Sequence, residues 1–248
     1  MGSTDFEAPT GEDEITVYVT GFGPFRAQYP VNPAWEIARS LPPFLPPPAH
    51  ATELSTLAAS PPVRILVHPE PVKVTYERVR AIVPSLWEEG AGGRRIDYMV
   101  HIGMATGRGC YCVERRGHRD GYDMRDVDDK FLNDGERRKL EGDDWIWAGM
   151  PEEILTDVDV DDVWRRWRTA LPAVDVRPSE DAGHYLCDFI YYSSLAYLTK
   201  KNEDKRVVFL HVPVQADPMS VRRGTEVAIE LIRALVQSGR MKKITSTR

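Results

Sequence analysis

Runs of β-branched and aliphatic residues ending in glycine-punctuated loops recur along the chain, separated by stretches with helical spacing. ITVYVT, from Ile15, reads as a buried strand entering the loop GFGPF. NPAWEIARSL, Asn32 to Leu41, reads as a helix with Asn32 as cap and Pro33 at its first position. RILVHPEPV is a second strand, TYERVRAIVPSLWEEG an amphipathic helix despite Pro84, and IDYMVHIGMA a third buried strand running into ATGRG. SEDAGHYLCDFIYYSSLAYLTKK resumes helical spacing, with Ser179 or Asp181 available as cap. VVFLHVPV is the last strand, and MSVRRGTEVAIELIRALVQSG a closing helix ended by Gly239. This alternation predicts an α/β fold with helices on both faces of a sheet.

Two stretches break the pattern. Residues 42–62 hold seven prolines and no helical period, which predicts an irregular surface excursion. Residues 126–180 are charged and turn-rich, with one short amphipathic helix (DVDDVWRRWRTAL), and read as a loop excursion beside a site. The expected organisation is a flexible segment 1–14, one domain over 15–240 carrying those two insertions, and a tail 241–248. At 248 residues and 42% hydrophobic, the chain suffices for one sizeable core.

Charge narrows the partners: 38 acidic against 32 basic side chains give −6, which argues against a phosphate-tracking nucleic-acid surface and favours small molecules or peptides. No apolar run reaches the roughly 20 residues that span a bilayer, and MGSTDFEAPTGEDE lacks a signal-peptide layout, so the expected compartment is the cytoplasm. Cys110, Cys112 and Cys187 are too few for a disulfide framework. Cys110 and Cys112 fit no zinc or redox spacing and read as strand cysteines. His118 and His184 lack a ligand partner at helical spacing, so no metal is expected.

Three residues could carry chemistry together. Cys187 lies in the first turns of a predicted helix, where the dipole favours a thiolate. His211 sits near the end of a strand, where open α/β sheets place their sites. Glu114, inside an apolar strand, suits a partner for an imidazole. Taken singly, Cys187 and His211 read more readily as core residues, and Glu114 as a solvent-facing or paired carboxylate. A cysteine and a histidine far apart in sequence are nevertheless the pair that thiol catalysis requires.

TGFGPF with NP following, GMATGR with Glu114 six residues after its arginine, DAGHYLC, and FLHVP occur in this order. They closely resemble the four sequence blocks of the pyroglutamyl peptidase I family, over roughly positions 16 to 235. The resemblance implies a three-layer α/β/α sandwich around a mixed twisted sheet. It implies a cysteine exopeptidase that removes N-terminal pyroglutamate without a cofactor, with Cys187 as nucleophile, His211 as base and Glu114 behind it. It further implies Arg125 as an oxyanion donor and Phe22, Phe25 and Asn32 around the lactam ring. Met104 stands where bacterial members carry glutamine (G-Q-A-G-G-R against GMATGR). That departure, with the two insertions, leaves a second reading: a relative that binds pyroglutamyl termini without cleaving them. The oligomeric state is left open.

Overall fold

The computed structural model describes residues 14–48, 61–88 and 92–246. The first thirteen residues of the expected N-terminal segment and most of the proline-rich stretch lie outside these. Among the described residues the main sheet has six strands, in the order β2-β1-β3-β8-β4-β7. These are β1 Ile15–Gly21, β2 Val63–Val67, β3 Tyr98–Met104, β4 Tyr111–Glu114, β7 Val176–Ser179 and β8 Val207–Val212. Strands β2, β1, β3 and β8 run parallel, β4 is antiparallel to β8, and β7 is parallel to β4. The sheet is therefore mixed. A small hairpin pairs β5 Arg116–His118 with β6 Glu153–Leu155.

The near-continuous apolar runs of β1, β3 and β8 follow from burial on both faces. On one face, Val17, Val19, Val100, Ile102 and Leu210 pack against three helices. These are α1 Pro33–Arg39, α4 Val160–Ala170 and α6 Pro218–Ser246. On the other face, Tyr18, Met99 and Phe209 meet α2 Tyr76–Glu88 and α5 Leu186–Lys201. The result is the expected α/β/α sandwich. Helix α5 lies between the sheet and α2, with the β5–β6 hairpin also against it, and is buried nearly all round. At that last contact a side chain on Gly117 would run into the Tyr192 backbone.

Four expectations change. The 126–180 stretch is largely fold rather than loop: it contributes α3 Asp134–Glu141, β6, α4 and the edge strand β7. Trp167 of α4 is fully buried and donates to the Val227 carbonyl. Helix α5 begins at Leu186, not near Ser179, because Ser179 ends β7. Gly239 does not end α6, which continues to Ser246 through the expected tail; a side chain at 239 would collide with the Tyr98 hydroxyl. Residues 43–45 of the proline-rich stretch are tied to β2, through Leu45 N–H to the Val63 carbonyl and Ile65 N–H to that of Pro43.

Candidate active site

The site forms where the parallel strands β3 and β8 meet antiparallel β4, at the ends of β3 and β8 and the start of α5. His211 of β8 stands beside Gly103 of β3 in the parallel register and opposite Cys112 of β4. Side chains directly opposite in an antiparallel pair share a face, and so does the residue two further on. Glu114 therefore turns to the same face as His211. Its Oε1 lies 2.7 Å from His211 Nδ1. The carboxylate is fully buried and the imidazole nearly so, with the ring against Phe209 at 4.6 Å between centroids. Accepting from Nδ1–H, the carboxylate fixes the tautomer and leaves Nε2 as the basic nitrogen.

Cys187 is the second residue of α5. Its Sγ lies over Gly103, 2.9 Å from where a Cβ on that glycine would be, and so next to the strand partner of His211. Burial pushes the Cys187 thiol well up, and the negative charges of Glu114 and Asp188 add to the rise; Arg108 pulls down. The direction is opposite to the lowering expected from the helix dipole, with enclosure and two carboxylates raising the sulfur. That balance favours the protonated thiol at Cys187.

Arg108, which sequence reasoning assigned no role, closes the group. Its Nη1 donates to the same Glu114 Oε1 at 2.9 Å and to Ser179 Oγ at 3.2 Å, and its Nη2 to the Asp181 carbonyl at 2.7 Å. The guanidinium ties the end of β7 and the loop before α5 to the buried carboxylate. Its position in GMATGR, six residues before Glu114, was the available signal.

The remaining predicted residues fall into place differently. Phe22 is buried, and its N–H donates to the Ile102 carbonyl. Phe25 is half-buried, 5.6 Å from the Tyr185 ring and stacked on Tyr29 at 6.4 Å. Asn32 caps α1 by accepting from Ala34 N–H at 3.0 Å and holds the Gly23 carbonyl through Nδ2 at 2.7 Å. Its amide thus shapes the GFGPF loop. Met104 turns to the other side of the sheet, into the cluster of Ile102 and Val212, because side chains alternate along β3 and Gly103 takes the site-facing position. Only its backbone borders the site. Arg125 is half-exposed, pairs with Asp129 at 3.0 Å and covers the Phe131 ring at 4.4 Å. Its guanidinium is engaged there and not by Cys187, His211 or Glu114.

A histidine pair that spacing could not connect also comes together. His118, at the end of β5, and His184 lie 5.1 Å apart between ring centroids, against Asp188 of α5. The Asp188 side chain accepts from His118 N–H at 3.2 Å and from the Tyr122 hydroxyl at 2.9 Å. Burial raises the Asp188 carboxyl, opposed by those partners, and Asp188 in turn raises His118.

A mixed α/β/α sheet with a thiol, an imidazole and a buried carboxylate meeting at its strand ends is the frame of a cysteine hydrolase. The sequence profile of the pyroglutamyl peptidase family matches residues 65–235. The chain is 32% identical over 202 residues to pyroglutamyl-peptidase 1 of Homo sapiens, covering 82% of this chain and 80% of the human protein. It is 25% identical over 236 residues to pyrrolidone-carboxylate peptidase of Bacillus cereus, covering 87% and 92%. A mutant pyrrolidone carboxyl peptidase from Pyrococcus furiosus superposes with TM-score 0.65 at 20% identity, over 92% of this chain and 99% of that one. The Thermus thermophilus pyrrolidone carboxyl peptidase gives 0.61 at 25% identity, over 90% and 99%. The protein belongs to the pyroglutamyl peptidase family.

Proposed function

We propose that this protein is a cysteine exopeptidase that hydrolyses the bond after an N-terminal pyroglutamyl residue. The observation carrying this reading is the buried Glu114–His211 pair at 2.7 Å beside a thiol seated over Gly103. His211 Nε2 takes the proton of Cys187 as sulfur attacks the pyroglutamyl carbonyl, and Glu114 stabilises the imidazolium. The carbon–nitrogen bond breaks, the imidazolium protonates the departing amine, and a thioester remains. Water then attacks, His211 takes its proton and returns one to sulfur, and pyroglutamate leaves. The N–H groups at the start of α5, which have no partner within the helix, are placed to hold the oxyanion.

The lactam is flat and uncharged, which suits the aromatic surface of Phe25 and Tyr185, with Phe22 and the Asn32-braced backbone of the GFGPF loop behind it. A free amino terminus would carry an unpaired cation into that surface at a cost of several kcal/mol. Such a penalty restricts the enzyme to blocked termini.

The binding-only reading loses its main support. Met104, the departure that favoured it, packs on the opposite side of the sheet, and most of the second insertion is fold. Among the described residues no helix is long and apolar enough to cross a membrane. We place the reaction in the cytoplasm, where thiols are kept reduced.

The test is release of a fluorescent amine from a pyroglutamyl amide under reducing conditions, with a prolyl amide and the Cys187→Ala variant as controls. Turnover of the pyroglutamyl substrate by wild type alone supports the reading; equal turnover by Cys187→Ala removes it.

A further inference from the structure

We propose that His118, His184 and Asp188 form a binding site for one divalent cation of the zinc type, one residue from the nucleophile. One donor atom from each of the three side chains lies within 4.8 Å of the other two. Two imidazoles and a carboxylate form the donor set that borderline cations select over magnesium or calcium, which prefer oxygen.

The spacing already suits an ion. Ligands held about 2.0 Å from a tetrahedral centre stand roughly 3.3 Å from each other. His118 Nδ1 and Asp188 Oδ1 are 3.2 Å apart. The cation takes the place of the proton between them, as metal binding to histidine commonly does. The third ligand comes from the exposed His184, whose Nδ1 lies 3.1 Å from the Asp120 carbonyl. Donation from Nδ1 to that carbonyl leaves Nε2 with a free lone pair, and the exposed ring gives the ion a path in from solvent.

The surroundings brace the two inner ligands as outer partners do in metal sites. Asp188 is fully buried and held by His118 N–H and the Tyr122 hydroxyl. His118 Nε2 faces Glu153 at 3.9 Å, a carboxylate able to orient the ring once Nδ1 is taken by metal. The site joins the β5 hairpin to the first turn of α5. An ion there would fix the segment that carries Cys187.

Cobalt(II) and zinc(II) are the probes, added to the full chain with Cys187→Ala so that the catalytic thiol cannot ligate. One cobalt bound per chain, with ligand-field bands and no thiolate charge-transfer band, is expected. Adding His184→Ala should weaken cobalt and zinc at least tenfold without moving the melting temperature, since that side chain is exposed. His118→Ala should abolish binding. No cobalt bound by the folded Cys187→Ala protein overturns the proposal, as does unchanged affinity in His184→Ala. A thiolate band would also overturn it, by assigning the ion to Cys110 and Cys112, whose sulfurs are 3.6 Å apart.

Discussion

Gly103 and Cys187 occupy one space: a Cβ built on the glycine would stand 2.9 Å from the cysteine sulfur and 2.5 Å from Phe209 Cζ. Absence of a side chain at that point of β3 lets the Cys187 sulfur lie down on the sheet next to His211. The geometry makes Gly103→Ala a test of the site that leaves Cys187, His211 and Glu114 unsubstituted. A shift of about 1 Å in a reacting atom costs on the order of 100-fold in turnover. Overpacking of this kind costs about 1–3 kcal/mol in stability. Kinetics and denaturant unfolding on the same preparation should therefore show a folded protein with kcat/KM down by that factor; unchanged kcat/KM would mean the thiol reacts from another position.

The resting state of Cys187 is testable by alkylation. With the thiol pushed up by burial, Glu114 and Asp188, the thiolate fraction at pH 7 is small. Iodoacetamide should modify the free enzyme more slowly than it modifies free cysteine at pH 7. The rate should climb as pH rises past the ordinary thiol range near 8.5. Mass spectrometry of Cys187 after timed quenching, with a chelator present, reads this directly. Fast modification at pH 6 would instead mean a preformed thiolate.

Arg108 and His211 share Glu114 Oε1, at 2.9 and 2.7 Å. Removing the guanidinium leaves a fully buried carboxylate with the imidazole as its main partner. Breaking a buried ion pair from one side costs about 3–5 kcal/mol, and less here because Arg108 is 33% exposed. Arg108→Ala should lower both the melting temperature and kcat, with KM nearly unchanged, whereas Arg108→Lys should restore stability in part. Equal activity in Arg108→Ala would reduce the residue to a surface tether.

Arg125 gives the opposite expectation. Exposed ion pairs contribute about 0–1 kcal/mol, and the Arg125–Asp129 pair is exposed on both sides. Arg125→Ala should keep its melting temperature and lose less than about tenfold in kcat. A loss of 10²–10³, the usual effect of removing an oxyanion donor, would restore the role implied by the sequence resemblance.

What the sequence made legible follows physical lines. Strands β1, β3 and β8 and the cap at Asn32 were readable because apolar runs and local capping chemistry are encoded within a few residues. Strand β7, with its sequence VRPS at a sheet edge, carries no apolar run, and the charged text around it concealed a structural strand. The side of the sheet that Met104 faces depends on the register of β3, which residue type alone does not fix. The His118–Asp188 contact spans 70 positions, beyond any spacing rule. Glu114 and His211, 97 positions apart, were open to choice by residue chemistry and strengthened by resemblance, but their hydrogen bond came from structure alone.

The fold also stores an acid sensitivity behind the site. His101, two residues before Gly103, is fully buried, with Nδ1 2.7 Å from Thr20 Oγ1 and Nε2 2.8 Å from Ser194 Oγ. It thereby links β1, β3 and α5. Burial pushes its pKa down to about 3, so the ring is neutral in the folded protein. In the unfolded chain it titrates near 6.5. Between those values the unfolded state binds more protons, so stability falls as pH drops, by about 1.4 kcal/mol for each unit. From pH 7 to pH 5 His101 alone removes about 2 kcal/mol. His101→Gln, which keeps polar contacts but cannot titrate, should flatten that part of the urea-unfolding stability profile relative to wild type. Parallel profiles for the two proteins between pH 7 and pH 5 would show that His101 takes up its proton as readily in the fold as in the unfolded chain.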